Sequence, residues 1–421
     1  MTQSGPRASH IHTARGVFLD PPGEVIAGVG ILVQNEQITA TGSLDDLRAD
    51  APAGTPIVDL GDRGLVPGLM NTHVHLSFSA GSDPRADYYA DPPETRLARA
   101  LANAHTMLES GVTTVRDCGS DWAILALHDI AKKGLALLPN LLLCGPPITI
   151  TGGHLHQMGG EADGEEDLRK LTRLLHKRGA NSIKVMATGG QMTPGTIPER
   201  PAFTLDELRA IVQTATELGH PTVAHVLASE GVRRAAQAGF DSLEHCAYFE
   251  RAANGLLERC YDEEIATEVA RSGASAMIGV TAGYHTLDGA RSGGPATDAQ
   301  GFWLEQEERM FQIIRRFVEH GIPIVWGTDA GVRDTPFDET WRELALLVER
   351  AGFSPLEAVR TATVNAARAL HLTGRAGQIA VGQRADLIAV EGDPLSGPDV
   401  FRTVPWVMRR GQVVKGEGSA Q

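Results

Sequence analysis

The chain has 421 residues, of which 42% are hydrophobic and 21% charged, and its formal net charge is −14. So acidic a balance argues against a nucleic-acid binder, which needs a basic face, and no apolar run approaches the roughly 20 residues that a membrane span requires. The length admits two or three domains, or one large barrel with an appended unit.

In chain order, Met1 to Gly16 is polar and lacks the apolar core of a secretory signal. Residues 9–62 hold short β-like runs such as Gly30-Ile31-Leu32-Val33, with turn signals at Pro21-Pro22-Gly23 and Pro52-Ala53-Gly54. Between about 64 and 370, apolar runs alternate with helical patterns, which predicts strands at 65–70, 112–117, 140–145, 181–186, 221–226, 240–245, 275–280 and 322–327. Helices are expected over Glu94–Ser110, Asp163–Gly179 and Leu205–Gly219, the last opened by a capping box of Thr204 and Glu207 and closed by Gly219. Residues 375–415 return to β-like runs: Gly377–Ile379, Ala385–Val390 and Pro405–Met408.

Eight strands alternating with helices predict an α/β fold with a closed parallel barrel, and no GxGxxG turn follows the first strand to favour a dinucleotide fold. The two β-rich ends predict a small composite sandwich of residues 1–63 and 372–421 around a barrel at 64–371. Cys118, Cys144, Cys246 and Cys260 form no CxxC pattern, so free thiols in a reducing cytoplasm are expected.

The side chains at the strand ends carry the chemistry. His73 and His75 follow the first strand at i and i+2, a spacing that points both imidazoles the same way. Lys184 sits inside the apolar fourth strand, where a bare ammonium is costly. It either snorkels outward or reacts with carbon dioxide to give a carbamate, an anionic ligand with two oxygens. His225 and His245 end the fifth and sixth strands, and Asp329 follows the eighth. Barrel enzymes build their sites at this end of the strands, and imidazole with carboxylate suits zinc, with manganese or another divalent ion as an alternative.

The stretches VPGLMNTHVH, SIKVMATGG, VAH, SLEHC, GTDAG and RAGQIAVGQRADLIAV together resemble the amidohydrolase superfamily, in its imidazolonepropionase-related and prolidase-like branch. The resemblance implies a distorted (β/α)8, or TIM, barrel with a terminal β-sandwich. It also implies two divalent metal ions: His73, His75 and Asp329 on one, His225 and His245 on the other, with carboxylated Lys184 bridging. Asn71 stands where relatives often carry aspartate. Asp329 would take a proton from a water bridging the two cations and pass it to the leaving nitrogen. In prolidase-like relatives a GGH stretch supplies a histidine to the substrate, which makes His154 the expected non-ligand residue; His156 is expected to be a solvent-facing loop histidine. Tyr248, Tyr284 and His285, with Arg85, Tyr88 and Tyr89, are candidates to line the pocket, and loops 187–202 and 283–301 are long enough to act as lids.

The expected activity is hydrolysis of an amide or related C–N bond in a small molecule: an N-acyl amino acid, dipeptide or cyclic amide, or a carbamate or urea. A free substrate carboxylate is expected. Heterocycle deamination is the nearest rival, but superfamily deaminases generally use one metal and no strand-four lysine carbamate. Lactone or phosphotriester hydrolysis is a further alternative, and a non-catalytic scaffold the remotest, since such proteins usually lack several of the six ligand positions. Relatives are often homo-oligomers; no membrane or nucleic-acid partner is expected.

Overall fold

The computed structural model describes residues 9–282, 284–287, 291, 297–416 and 419–420. Seven short parallel strands form its centre. Leu69–Val74, Val112–Asp117 and Asn140–Leu143 make one sheet, and Ile183–Met186, Thr222–His225, Ser242–Glu244 and Ser275–Met277 make another. Their residues are almost all buried, as expected of parallel strands covered on both faces. Helices Pro93–Glu109, Gly164–Lys177, Leu205–Glu217, Ser229–Ala238, Glu263–Ser272 and Asp298–Glu319 connect or follow these strands. The expected capping box at Thr204 and Glu207 is present. The helix Gly164–Lys177 opens on Glu165, Glu166 and Asp167 and closes on His176 and Lys177, which complements its dipole.

Two expectations need correction. Residues 65–70 are not one strand: Arg63–Pro67 pairs with Leu387–Glu391, and the chain restarts after Gly68 as Leu69–Val74. His73 therefore lies inside the first central strand, and His75 directly after it. Nor is 322–327 a strand. Pro323 has no N–H to give a ladder, and the segment is held by separate bonds: Val325 N–H to Ala276 O (3.0 Å) on one side and Thr72 N–H to Trp326 O (3.0 Å) on the other. On the far side a single bridge, Ile148 with Val185, links the two parallel sheets. The sheets thus do not form one closed eight-stranded ladder.

Strands from both ends of the chain pair with one another. One mixed sheet runs Ser419–Ala420, Ile57–Asp59, Ser9–Thr13, Gly30–Gln34, Gln37–Gly42; the other runs Gln412–Lys415, Trp406–Arg409, Leu387–Glu391, Arg63–Pro67, Gly16–Leu19, Glu24–Ile26. Val17, Ile31, Val33, Leu65, Leu387 and Trp406 pack in a common core. All four cysteines are free. Among the described residues, no helix is long and apolar enough to cross a membrane.

Candidate active site

His73, His75, Lys184, His225, His245 and Asp329 all line one cavity of about 560 Å³ at the C-terminal ends of the central strands. The ligand atoms of His73, His245 and Asp329 lie within 4.8 Å of one another. Asp329 Oδ1 sits 3.4 Å from His73 Nε2 and 3.3 Å from His75 Nε2. The His225 and His245 rings are 4.8 Å apart, and those of His73 and His245 5.2 Å.

Two of the four imidazoles, His73 and His75, are oriented from behind. His73 Nδ1 meets Glu244 Oε2 at 2.5 Å, and His75 Nδ1 meets the Gly119 carbonyl at 2.9 Å. Both rings thereby present Nε2 to the cavity, the second-layer arrangement that fixes the tautomer of metal-binding histidines. Glu244 is itself held by Ser242 and by Arg116 Nη2 at 3.2 Å. A second triplet of potential ligands, His73, Cys118 and Glu244, gathers on this far side of the ring. Asp117 accepts from Leu76 N–H (2.8 Å) and from Ser120, pinning the turn after His75. Asn71 Nδ2 donates to Thr328 Oγ1 (2.8 Å), tying the first strand to the segment that carries Asp329.

The backbone is strained at two of the six candidate ligands: His245 has φ 70° and Asp329 φ 57°. Non-glycine residues held there cost on the order of 1–3 kcal/mol each and cluster at functional sites. Gly327 allows the close approach of this segment, since a Cβ there would lie 2.7 Å from Met277 Cγ and 3.0 Å from His73 Cβ.

Burial pulls His73 and His225 well below the usual imidazole range, and His245 to about 4. For His75 burial acts the same way, but Asp329 and Asp117 more than offset it and its pKa is raised. Burial opposes ionisation of Asp329, yet His73, His75 and His245 together hold it below the carboxylate range. The histidines with lowered pKa are thus neutral, with lone pairs to give. His73 Nε2, Lys184 Nζ and Asp329 Oδ1 are buried without a hydrogen-bond partner. Buried polar atoms are normally satisfied; the His73 nitrogen and the Asp329 oxygen fit a cation-binding site as they stand, and Lys184 Nζ would fit it once its charge is removed, as in a carbamate.

His154 also lines the cavity. Its ring lies 4.8 Å from that of His225, and Nδ1 bonds Thr193 Oγ1 at 3.0 Å. Burial, then His75 and Lys184, pull it down to about 3. Gly190 makes room, since a Cβ there would stand 2.4 Å from the His154 ring.

Other expected contacts lie elsewhere. Tyr248 (φ 50°) turns away from the cavity and is buried against Tyr261 and Phe317. Tyr284 lies under the Arg291 guanidinium, 3.5 Å from its centroid, and His285 Nε2 bonds Glu339 at 2.9 Å. None of these three is among the described residues that line the cavity. Arg85 does line it, whereas Tyr88 is buried beside Arg96, Tyr89 is exposed, and His156 stays outside the lining in a short 3-10 turn. Gln191, Met192 and Pro194 bring loop 187–202 to the cavity. In loop 283–301, residues 283, 288–290 and 292–296 lie outside the described residues.

Glu244, Asp117, Thr193 and Arg259 were not expected at the site. Glu244 and Arg116 did carry a signal, each being a charged residue inside an expected central strand, as Lys184 is. Arg259, which lines the cavity, arrives on an unexpected antiparallel hairpin, Phe249–Arg251 with Leu257–Arg259.

Residues 65–416 match the Amidohydrolase family. The ochratoxinase of Aspergillus niger is 27% identical over 441 aligned residues, covering 96% of this chain and 86% of that protein. The imidazolonepropionase of Deinococcus deserti is 29% identical over 396, covering 86% and 84%. A solved Xaa-Pro dipeptidase with methionine bound in its active site superposes with a TM-score of 0.83 at 25% identity, covering 97% of this chain and all of that one.

Proposed function

The chain belongs to the amidohydrolase family and is a metal-dependent hydrolase of C–N bonds; on that premise we propose that it cleaves an amide at a centre for two divalent ions, zinc first among them. The observation that carries this reading is the convergence of His73 Nε2, Lys184 Nζ and Asp329 Oδ1, all buried and without partners, on one cavity. His73, His75 and Asp329 would hold one ion and His225 and His245 the other, with Lys184, carboxylated on Nζ, shared between them. Such ions, when bound, polarise a carbonyl and lower the pKa of water.

The chain's own residues supply the rest. Asp329 takes a proton from the attacking water as its oxygen bonds to the carbonyl carbon. It returns that proton to nitrogen as the C–N bond breaks, leaving an amine and a carboxylic acid, which then ionises to solvent. Thr193 Oγ1 accepts the Leu155 N–H at 3.0 Å and keeps its own proton for His154 Nδ1. In that tautomer His154 Nε2–H is free to donate to a substrate oxygen. The apolar walls Leu155, Met186, Leu227 and Ile278 exclude water.

We place the substrate among N-acyl amino acids and dipeptides, which carry a free carboxylate. Relatives named as a dipeptidase and an ochratoxinase, and the methionine bound in the dipeptidase, support this. The central strands with the 322–328 segment are then a distorted (β/α)8 barrel at 64–371, and residues 1–63 with 372–421 a composite sandwich. Four free cysteines suit the cytoplasm. The test is turnover of a panel of N-acyl amino acids and dipeptides by zinc-loaded protein, with and without chelator. Chelator-sensitive release of amino acid is expected, and esterifying the carboxylate should lower kcat/KM by on the order of 10- to 100-fold. Equal turnover of acid and ester contradicts the carboxylate; no turnover across the panel contradicts the substrate class.

A further inference from the structure

The cavity of this acidic chain is lined by three arginines, Arg85, Arg259 and Arg333, and none has a carboxylate within 4.0 Å among the described residues. Arg333 is exposed, and Arg85 leans over Tyr89 with its guanidinium 5.9 Å from the ring centre. Arg259 differs from both. Its backbone is fixed, with Arg259 paired to Phe249 across the hairpin and its N–H bonded to Gln306 Oε1 at 2.7 Å.

The guanidinium lies over the Phe249 ring at 4.9 Å. Nη1 donates to the Ala247 carbonyl at 3.4 Å, Nη2 has only Met310 Sδ at 3.9 Å, and Nε is buried without a partner. Five donors thus meet one long hydrogen bond and one weak sulfur contact. Burial pulls the group's pKa down to about 10, which leaves it protonated at neutral pH. Arg259 also borders a second cavity. The other arginines there, Arg309, Arg315 and Arg316, are each paired, with Glu305, Glu308 and Glu263. A partly buried guanidinium without an anion is expensive, and its planar fork matches a carboxylate.

We propose that Arg259 binds the free carboxylate on the amine half of the substrate, so that the enzyme selects N-acyl derivatives of hydrophobic amino acids. This rests on the amide-hydrolase reading above. Leu227, Phe249, Ile278 and Met310 line the same cavity and offer an apolar surface for the amino acid's side chain. Arg259 takes no part in the bond-breaking steps; it sets which amides are held in place for them.

The test compares N-benzoyl-L-phenylalanine with its C-terminal carboxamide in zinc-loaded wild type, Arg259→Met and Arg259→Lys. Each variant is first shown to bind as much zinc as wild type. Wild type is expected to favour the carboxylate. In Arg259→Met the ratio of kcat/KM values should fall by on the order of 10- to 100-fold, and Arg259→Lys should recover part of it. An unchanged ratio in Arg259→Met overturns the proposal.

Binding of benzylsuccinate and 3-phenylpropanoate, measured by calorimetry, supplies a readout independent of turnover. The tighter Kd that the second carboxylate gives wild type should vanish in Arg259→Met, and its persistence overturns the proposal. If wild type hydrolyses no amide, the amide reading fails, while the calorimetry still decides for or against Arg259.

Discussion

The terminal β-sheets and the cavity mouth both bury imidazole nitrogens without hydrogen-bond partners, and the two cases mean different things. In the sheets His12 is fully buried with both ring nitrogens unpartnered, beside the Trp406 ring at 5.4 Å. No metal-type cluster among the described residues includes it. At the mouth, His73 Nε2 is equally buried and unpartnered, but it converges with His245 and Asp329 and is aimed from behind by Glu244. A lone orphan only weakens a core, whereas orphans that converge with a second layer behind them make a site.

Two substitutions sharpen that contrast. The larger effect is expected from Glu244→Gln, which removes the charge behind His73 while keeping a polar group for Arg116. Metal affinity or kcat/KM should fall on the order of 10- to 100-fold, measured by chelator competition and by assay at saturating zinc. Unchanged values would make Glu244 merely the partner of Arg116.

The smaller effect is at His12. His12→Leu removes an unsatisfied buried group and should stabilise the protein by about 1–2 kcal/mol at pH 7 with metal content unchanged. The pH dependence has a definite sign. Burial and nearby His10 hold folded His12 at about 4, below its ordinary 6.5, so the unfolded chain takes up the proton first. Wild-type stability is therefore full above pH 6.5 and is lost as pH falls toward 4, by about 3 kcal/mol from this group. His12→Leu should not show that component in thermal melts from pH 7 to 4; parallel curves would contradict the assignment.

Much of this was legible in the sequence. Strand 112–117 is reproduced to the residue, and the neighbouring strands to within a few. The six candidate ligands face one cavity because period-two geometry and strand-end position are local properties. Their family resemblance agrees with the match over residues 65–416. What local pattern could not supply was direction around the axis. Tyr248, Tyr284 and His285 sit at the expected height but turn into packing or salt bridges. The hairpin that delivers Arg259 was hidden because its strands are only three residues long. The expected eighth strand is broken by Pro323, which cannot donate to a ladder.

The proposed two-ion centre is tested by metal content per chain, by elemental analysis, of wild type and Lys184→Ala purified with zinc and bicarbonate. About two ions are expected per wild-type chain and fewer than one in the variant, since the ligand proposed to be shared by both ions would be lost. Two ions in both proteins would contradict the carboxylated Lys184, and fewer than one in wild type would contradict the binuclear centre itself.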